Sequence, residues 1–248
     1  MKIKEVIRLT GILSTCCVLL LFSACRANVK YIKRMQFLEE GVSHPQTEEE
    51  ITVAIQKYRQ RVEDIMAAEN QIGIWYKILG VRYLDNRMYG KALDCFQESV
   101  RYHPDNQNLY YYVGICAGYM AKAELDYNAS GSTAKRASYL ALAESAYKRS
   151  LELEPGFVRS LYALAVLYVF ELNRPGEAVP LLQRLLTIDT GHTDALFVLA
   201  RAYYMLYDYQ AAADTYERII KTSKDKVKIG EAEANKKTVL DALYASPE

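Results

Sequence analysis

Ser132-Thr133-Ala134-Lys135 places a hydroxyl and an amine one helical turn apart. Such a pair can perform acyl transfer: the serine attacks a carbonyl while an unprotonated lysine takes its proton. Lys221-Thr222-Ser223 is a second stretch joining a base to hydroxyls. The three histidines, His44, His103 and His192, are scattered near predicted helix ends, and none belongs to a metal-binding motif. No phosphate-binding loop or dinucleotide fingerprint is present, so no cofactor and no metal are expected. One further reactive group, Cys25, comes after the small residues Ser23 and Ala24 at the end of an apolar run.

The acyl-transfer pattern fails on context. Penicillin-binding proteins and β-lactamases join S-x-x-K to an S-D-N-like element and to a strand carrying K-T-G. This sequence has no such element, and Lys221 falls at the end of a predicted helix. Ser132 or Thr133 reads better as a helix N-cap. No catalytic residue is expected, and a serine acyl-transfer enzyme is the remote alternative.

Cys25 has a clearer context. Lys2, Lys4 and Arg8 precede the apolar run from Gly11 to Phe22, which is too short to span a bilayer comfortably. That is the plan of a secretory signal. Its end, "LFSAC", resembles the bacterial lipobox, with Phe22 where leucine is usual. The resemblance implies a signal peptide over 1–24, acylation of Cys25 and an anchor in the cell envelope; several acyl chains make such anchoring stable. An ordinary secretory signal is the alternative. The leader holds three basic residues and one acidic, so its removal moves the formal charge from +1 to −1. Neither value favours nucleic acid. Cys95 and Cys116 then remain, either as buried small hydrophobes or as a pair in an oxidising compartment.

The elements that position these residues repeat. Tyr76, Leu79, Gly80 and Tyr83 return in type as Tyr110, Val113, Gly114 and Ala117, as Leu161, Leu164, Ala165 and Tyr168, and as Leu196, Leu199, Ala200 and Tyr203. A second half recurs as Ala92/Phe96/Ser99, Ala143/Tyr147/Ser150, Ala178/Leu182/Leu185 and Ala212/Tyr216/Ile219. A period near 34 residues marks a helical repeat array. Small residues belong where helices approach most closely, and the larger ones fill what remains. Pro104 and Pro155 close two of the second helices. Thr190 and Lys224 stand at the equivalent places in the other two. Gly114-x-x-x-Gly118 reads as close packing inside a helix.

The pattern resembles the tetratricopeptide repeat family, with its W-x2-L-G-x2-Y and A-x3-F…P halves. The resemblance implies an all-α, right-handed superhelix of antiparallel helix pairs, with four repeats over 73–226. From Gly114 to Ala143 the second repeat is 17 residues longer than Gly80 to Ala92, placing an insertion around 120–140 with "NASGST" at its turn. The insertion is either a binding edge or solvated decoration. Before the repeats, 25–72 holds anchor and capping helices: Val29, Ile32, Met35 and Leu38 suggest one ending at Gly41. Thr47 and Glu50, in capping-box spacing, open another with an Ile51/Ile55/Tyr58/Val62/Ile65 stripe. Residues 227–248 form a terminal capping helix whose stripe is Ile229, Ala232, Leu240 and Tyr244.

In the resembled family the first helices line a concave groove where partners bind. Helical offset from the packing residues places Tyr111, Ile115 and Tyr119, then Arg159, Tyr162, Val166 and Phe170, then Phe197, Arg201 and Tyr204 on that face. Much of the excess of tyrosine, 21 against one tryptophan, goes there. Tyrosine offers apolar area and a hydroxyl at low rotamer cost, and the two arginines suit a carboxylate. Either the face is an open groove or its rings fill it. The expected function is a membrane-anchored scaffold binding an envelope protein or peptide. The alternative is an accessory subunit of a TRAP-type transporter, pairing with its solute-binding protein and holding a small organic ligand.

Overall fold

The computed structural model describes residues 32–33, 44–127 and 134–245. The chain divides into two compact units, Met1–Met66 and Ala67–Glu248. Helix α1 runs Glu48–Asp85, α2 Tyr89–Tyr102, α3 Gln107–Tyr127, α4 Ala134–Leu153 and α5 Val158–Val166. A π-helical turn, Leu167–Glu171, continues α5. Then come α6 Pro175–Ile188, α7 Thr193–Met205, α8 Tyr209–Thr222 and α9 Lys226–Ala245. Cys25 and the 1–24 leader, Ser132 and Thr133 lie outside the described residues, as does the expected 29–41 helix apart from Ile32 and Lys33. Among the described residues no helix is long and apolar enough to cross a membrane.

In the first unit, the capping box opens α1. The Glu50 amide donates to Thr47 Oγ1 at 3.2 Å, and the amides of Gln46 and Thr47 donate to Glu50 Oε2 at 2.9 and 3.2 Å. These backbone bonds hold the Glu50 carboxyl below its ordinary range. The repeat pattern places a boundary between 72 and 73; one helix runs through it instead. The reason is local: Met66-Ala67-Ala68-Glu69-Asn70-Gln71-Ile72 contains no glycine or proline to stop a helix.

In the second unit each second helix packs between two first helices, as a stacked array requires. Gly80 and Gly114 sit where expected. A Cβ on Gly80 would lie 2.9 Å from the Phe96 ring, and one on Gly114 only 2.4 Å from that of Tyr147. Gly73, which sequence reasoning missed, is as tight: its Cβ would meet the His103 ring at 2.5 Å, and its carbonyl accepts from Ser99 Oγ at 2.8 Å. Gly118 does not fit the close-packing reading, because nothing lies within 4 Å of where its Cβ would be. Ala92, Phe96, Ala143, Tyr147, Ala178, Leu182, Leu185, Ala212, Tyr216 and Ile219 are all buried. Leu79 and Trp75 are exposed, as suits α1 as the first repeat helix among the described residues.

The four second helices end in one register. They stop at Tyr102, Leu153, Ile188 and Thr222, each two residues before Pro104, Pro155, Thr190 or Lys224. Proline is therefore not what sets the end. Where it is missing, side chains satisfy the turn instead: the Gly191 amide donates to Asp189 Oδ1, and that of Val227 to Asp225 Oδ1. Three of the hairpin turns place a non-glycine residue at positive φ: Arg87 at 58°, Asn173 at 52° and Tyr207 at 63°. Cys95 and Cys116 are free and buried, and burial pushes the Cys116 thiol up to about 12. In α9 the buried residues are Ala232 and Val239, while Tyr244 is exposed. Of the expected stripe, Ala232 is buried, Leu240 packs on the core and Ile229 is half-buried, and Tyr244 alone falls outside it.

Candidate functional site

The long second hairpin holds the lysine of the S-x-x-K stretch. Lys135 forms an ion pair with Glu124, whose bond raises its pKa. It is an ammonium, the wrong form for a general base. Lys221 pairs with Glu217 at 3.1 Å on the last turn of α8. Among the described residues no cluster of three or more His, Cys, Asp or Glu could hold a metal ion.

The first helices α3, α5 and α7 carry the predicted row. Tyr111, Ile115, Tyr162, Val166, Phe197 and Tyr204 are half-buried, with one side packed on the core. Arg159 and Arg201 are exposed. At one end, the Arg159 guanidinium lies 5.1 Å from the Tyr111 ring centre and 4.9 Å from that of Phe157, and it donates to Asn108 Oδ1. Tyr111 also meets Phe157 edge-on at 6.0 Å. Burial raises the Tyr111 hydroxyl above its usual range, with Arg159 pulling the other way.

Further along, Tyr162 lies 5.1 Å from the His192 ring. His192 caps α7, its Nδ1 accepting from the Ala195 amide at 3.1 Å, which leaves a proton on Nε2. Lys228, from the start of α9, donates to Asp194 at 2.7 Å. Phe197 packs edge-on against Tyr216 at 6.0 Å. Arg201 lies 5.5 Å from the Tyr204 ring, which meets Tyr209 at 5.5 Å. Among the described residues, neither Arg159 nor Arg201 has a carboxylate within 4.0 Å.

Two predicted residues sit apart. Tyr119 stacks on Tyr89 at 4.3 Å, toward the hairpin turns. Phe170 is 58% exposed within the π-helical turn. Offset from Val166 assumes an α-helix; an i→i+5 turn rotates the later residues out of that register. Sequence reasoning missed Phe157, His192 and Lys228 because they come from a loop, a cap and the terminal helix. No 3.6-residue pattern points to such positions. An open cleft of about 510 Å³ lies off this row, between α8 and α9, bordered by Ile220, Lys236, Leu240 and Tyr244.

Comparison with known proteins agrees with this architecture. Models of the tetratricopeptide repeat match residues 128–193 and 169–229. A TPR repeat-containing protein of Borreliella burgdorferi is 24% identical over 167 residues, covering 67% of this chain and 70% of that protein. Among solved structures, MamA from residue 41 onward, from Desulfovibrio magneticus RS-1, is 16% identical with a TM-score of 0.53, covering 70% of this chain and 92% of that one. YrrB, described as a TPR protein with an unusual peptide-binding site, is 20% identical with a TM-score of 0.52, covering 75% of this chain and 84% of its own. With four helix pairs built on the repeat's small and large residues, the chain has the tetratricopeptide repeat fold, and residues 128–229 match the repeat models.

Proposed function

We propose that this chain is a lipid-anchored scaffold of the bacterial cell envelope that holds an acidic peptide segment of a protein partner along α3, α5 and α7. One observation carries the reading: Arg159 and Arg201 stand on ring platforms, exposed and without a carboxylate. A guanidinium that lies close to a ring loses less freedom on forming a bidentate bond to a carboxylate. The tyrosines between them supply apolar area with little rotamer entropy to lose. The lipobox-like "LFSAC" supports the anchor at Cys25.

The test uses the full chain in membranes of the producing cell. Arg159→Ala with Arg201→Ala should abolish crosslinking of a partner protein while leaving helicity unchanged. Capture that survives would move the site off this face. These substitutions are cleaner than removing rings, because Phe197 packs on the buried Tyr216 and its loss would cost stability as well. Independently, Cys25→Ala should release the protein from membranes; a variant that stays bound would argue against acylation.

A further inference from the structure

The N-terminal half of α1 carries a row of large apolar side chains open to solvent. Ile51, Ile55, Tyr58, Val62 and Ile65, with Met66 beside them, are between 42% and 63% exposed. The five succeed one another at intervals of 4, 3, 4 and 3. Apart from the exposed Val53, the opposite side of the helix is polar, with Gln56, Gln60, Glu63 and Asp64, and Gln60 Nε2 donates to Asp64 Oδ1 at 3.3 Å. Alternating steps of three and four, averaging 3.5 residues, are the spacing of a coiled-coil seam rather than of a face lying on a mixed core.

We propose that this row is the seam of a two-stranded parallel coil formed with α1 of a second copy of the chain. Like layers then meet across the two-fold axis, Tyr58 on Tyr58 and Val62 on Val62. Ile55 and Val62 take the a positions and Ile51, Tyr58 and Ile65 the d positions of one seam. The flanking positions do not oppose it: Ala54 faces Arg59 of the other copy and Arg61 faces Met66, so no like charges meet across the seam. Each side chain offers roughly 100 Å², so six on each of two copies bury on the order of 1,200 Å², the lower bound for a stable interface. Nor must the strand be nucleated on docking, since it is part of one uninterrupted helix of 38 residues begun by a capping box.

The proposal is tested on the full chain in detergent by sedimentation equilibrium with the detergent density-matched. The wild type should be a dimer at micromolar concentration. Ile55→Glu with Val62→Glu should weaken association at least tenfold with helical circular dichroism unchanged. Val53→Glu, on the outer side, should leave the dimer intact. In case the double variant loses structure, a second readout is covalent: Tyr58→Cys should form disulfide-linked dimers on mild oxidation well above a Gln60→Cys control. A monomeric wild type would overturn the proposal. Protected amides over 51–65 would then show the row covered by preceding residues of its own chain, and fast exchange there would assign it to a different protein. A dimer indifferent to the glutamates would overturn it as well.

Discussion

The second and fourth repeats solve the same packing problem at different lengths. In the fourth, α7 and α8 have 13 and 14 residues and join through a tight turn at Tyr207. Their contact is mostly apolar, with Ala200, Ala202, Ala212, Ala213 and Tyr216 all buried. In the second, α3 and α4 have 21 and 20 residues. Their inner part obeys the same rules, with Gly114 under Tyr147. Beyond it the neighbouring repeat offers no equally long hairpin to stack on, and polar bonds take over. In the extension Arg136 pairs with Glu171 at 2.7 Å and Lys135 pairs with Glu124; next to it, inside the repeat, Glu144 Oε1 accepts from Lys148 at 2.7 Å, Arg174 at 2.5 Å and the Tyr168 hydroxyl at 3.1 Å. Tyr168 and Glu171 belong to the π-helical turn of the third repeat, and Arg174 comes three residues after it. These groups meet α4, Glu171 at the extension and the other two at Glu144. Apolar stacking is thus local to the repeat length, and an insertion needs its own charged braces.

The largest expected difference between the two hairpins is at their closest approach. Gly114→Ala puts a methyl 2.4 Å from a ring that is 4% exposed and has nowhere to move. We expect a loss of about 3 kcal/mol, the upper end of overpacking, read as a shifted midpoint in urea. The equivalent position of the fourth repeat already carries a Cβ, and Ala200→Gly there should cost about 1 kcal/mol. Equal effects in the two repeats would mean that the ring, not the backbone spacing, adapts.

How legible each feature was depends on the force that sets it. The small-residue positions and the buried second halves were readable because stacked helices demand them at a fixed period. The ends of α6 and α8 were not marked by proline, yet Asp189 and Asp225 could have signalled them as turn formers. The π-helical turn left no mark in the local pattern, since it answers a neighbour's length; Phe170 was misplaced for that reason. Gly118 was over-read because a G-x-x-x-G spacing says which face is small, not whether anything approaches it. The ring row of the candidate site was legible from helical offset. Its polar partners His192 and Lys228 were not, because they act across repeats.

The brace predicts a pH dependence. Burial alone would raise Glu144, but the bonds from Lys148, Arg174 and Tyr168 outweigh it and hold the carboxyl below its ordinary 4.5. A carboxyl depressed in the folded state adds stability above its unfolded value and loses it as pH falls through the folded one. Glu144→Gln should therefore cost about 2 kcal/mol at neutral pH, in keeping with lost bonds to charged groups. The gap to wild type should stay constant down to about pH 5 and close below the unfolded carboxyl value. A gap independent of pH would show that shape, not charge, holds α4 against the third repeat. The same change at Glu217, itself more exposed than Glu144 and paired with the exposed Lys221 and the half-buried Lys236, should have a smaller effect.

The smallest effects separate the two hairpins in the opposite sense. Gly118 lies in α3 with open space where a Cβ would go, so Gly118→Ala should stabilise the long hairpin by about 0.5–1 kcal/mol through helix propensity. In the short hairpin the gain lies in the turn. Tyr207 holds φ at 63° and is 78% exposed, so its ring contributes little beyond an edge contact with Tyr209 at 6.2 Å. A left-handed conformation costs a non-glycine residue about 1–2 kcal/mol. Glycine removes that cost but adds about 0.5–1 kcal/mol of unfolded-state entropy. Tyr207→Gly should therefore gain about 0.5 kcal/mol, visible as a slightly higher Tm in calorimetry. A loss instead would assign the exposed ring a packing role that its contacts do not suggest, and would place the stability of the short hairpin in its turn rather than in its alanine-lined core.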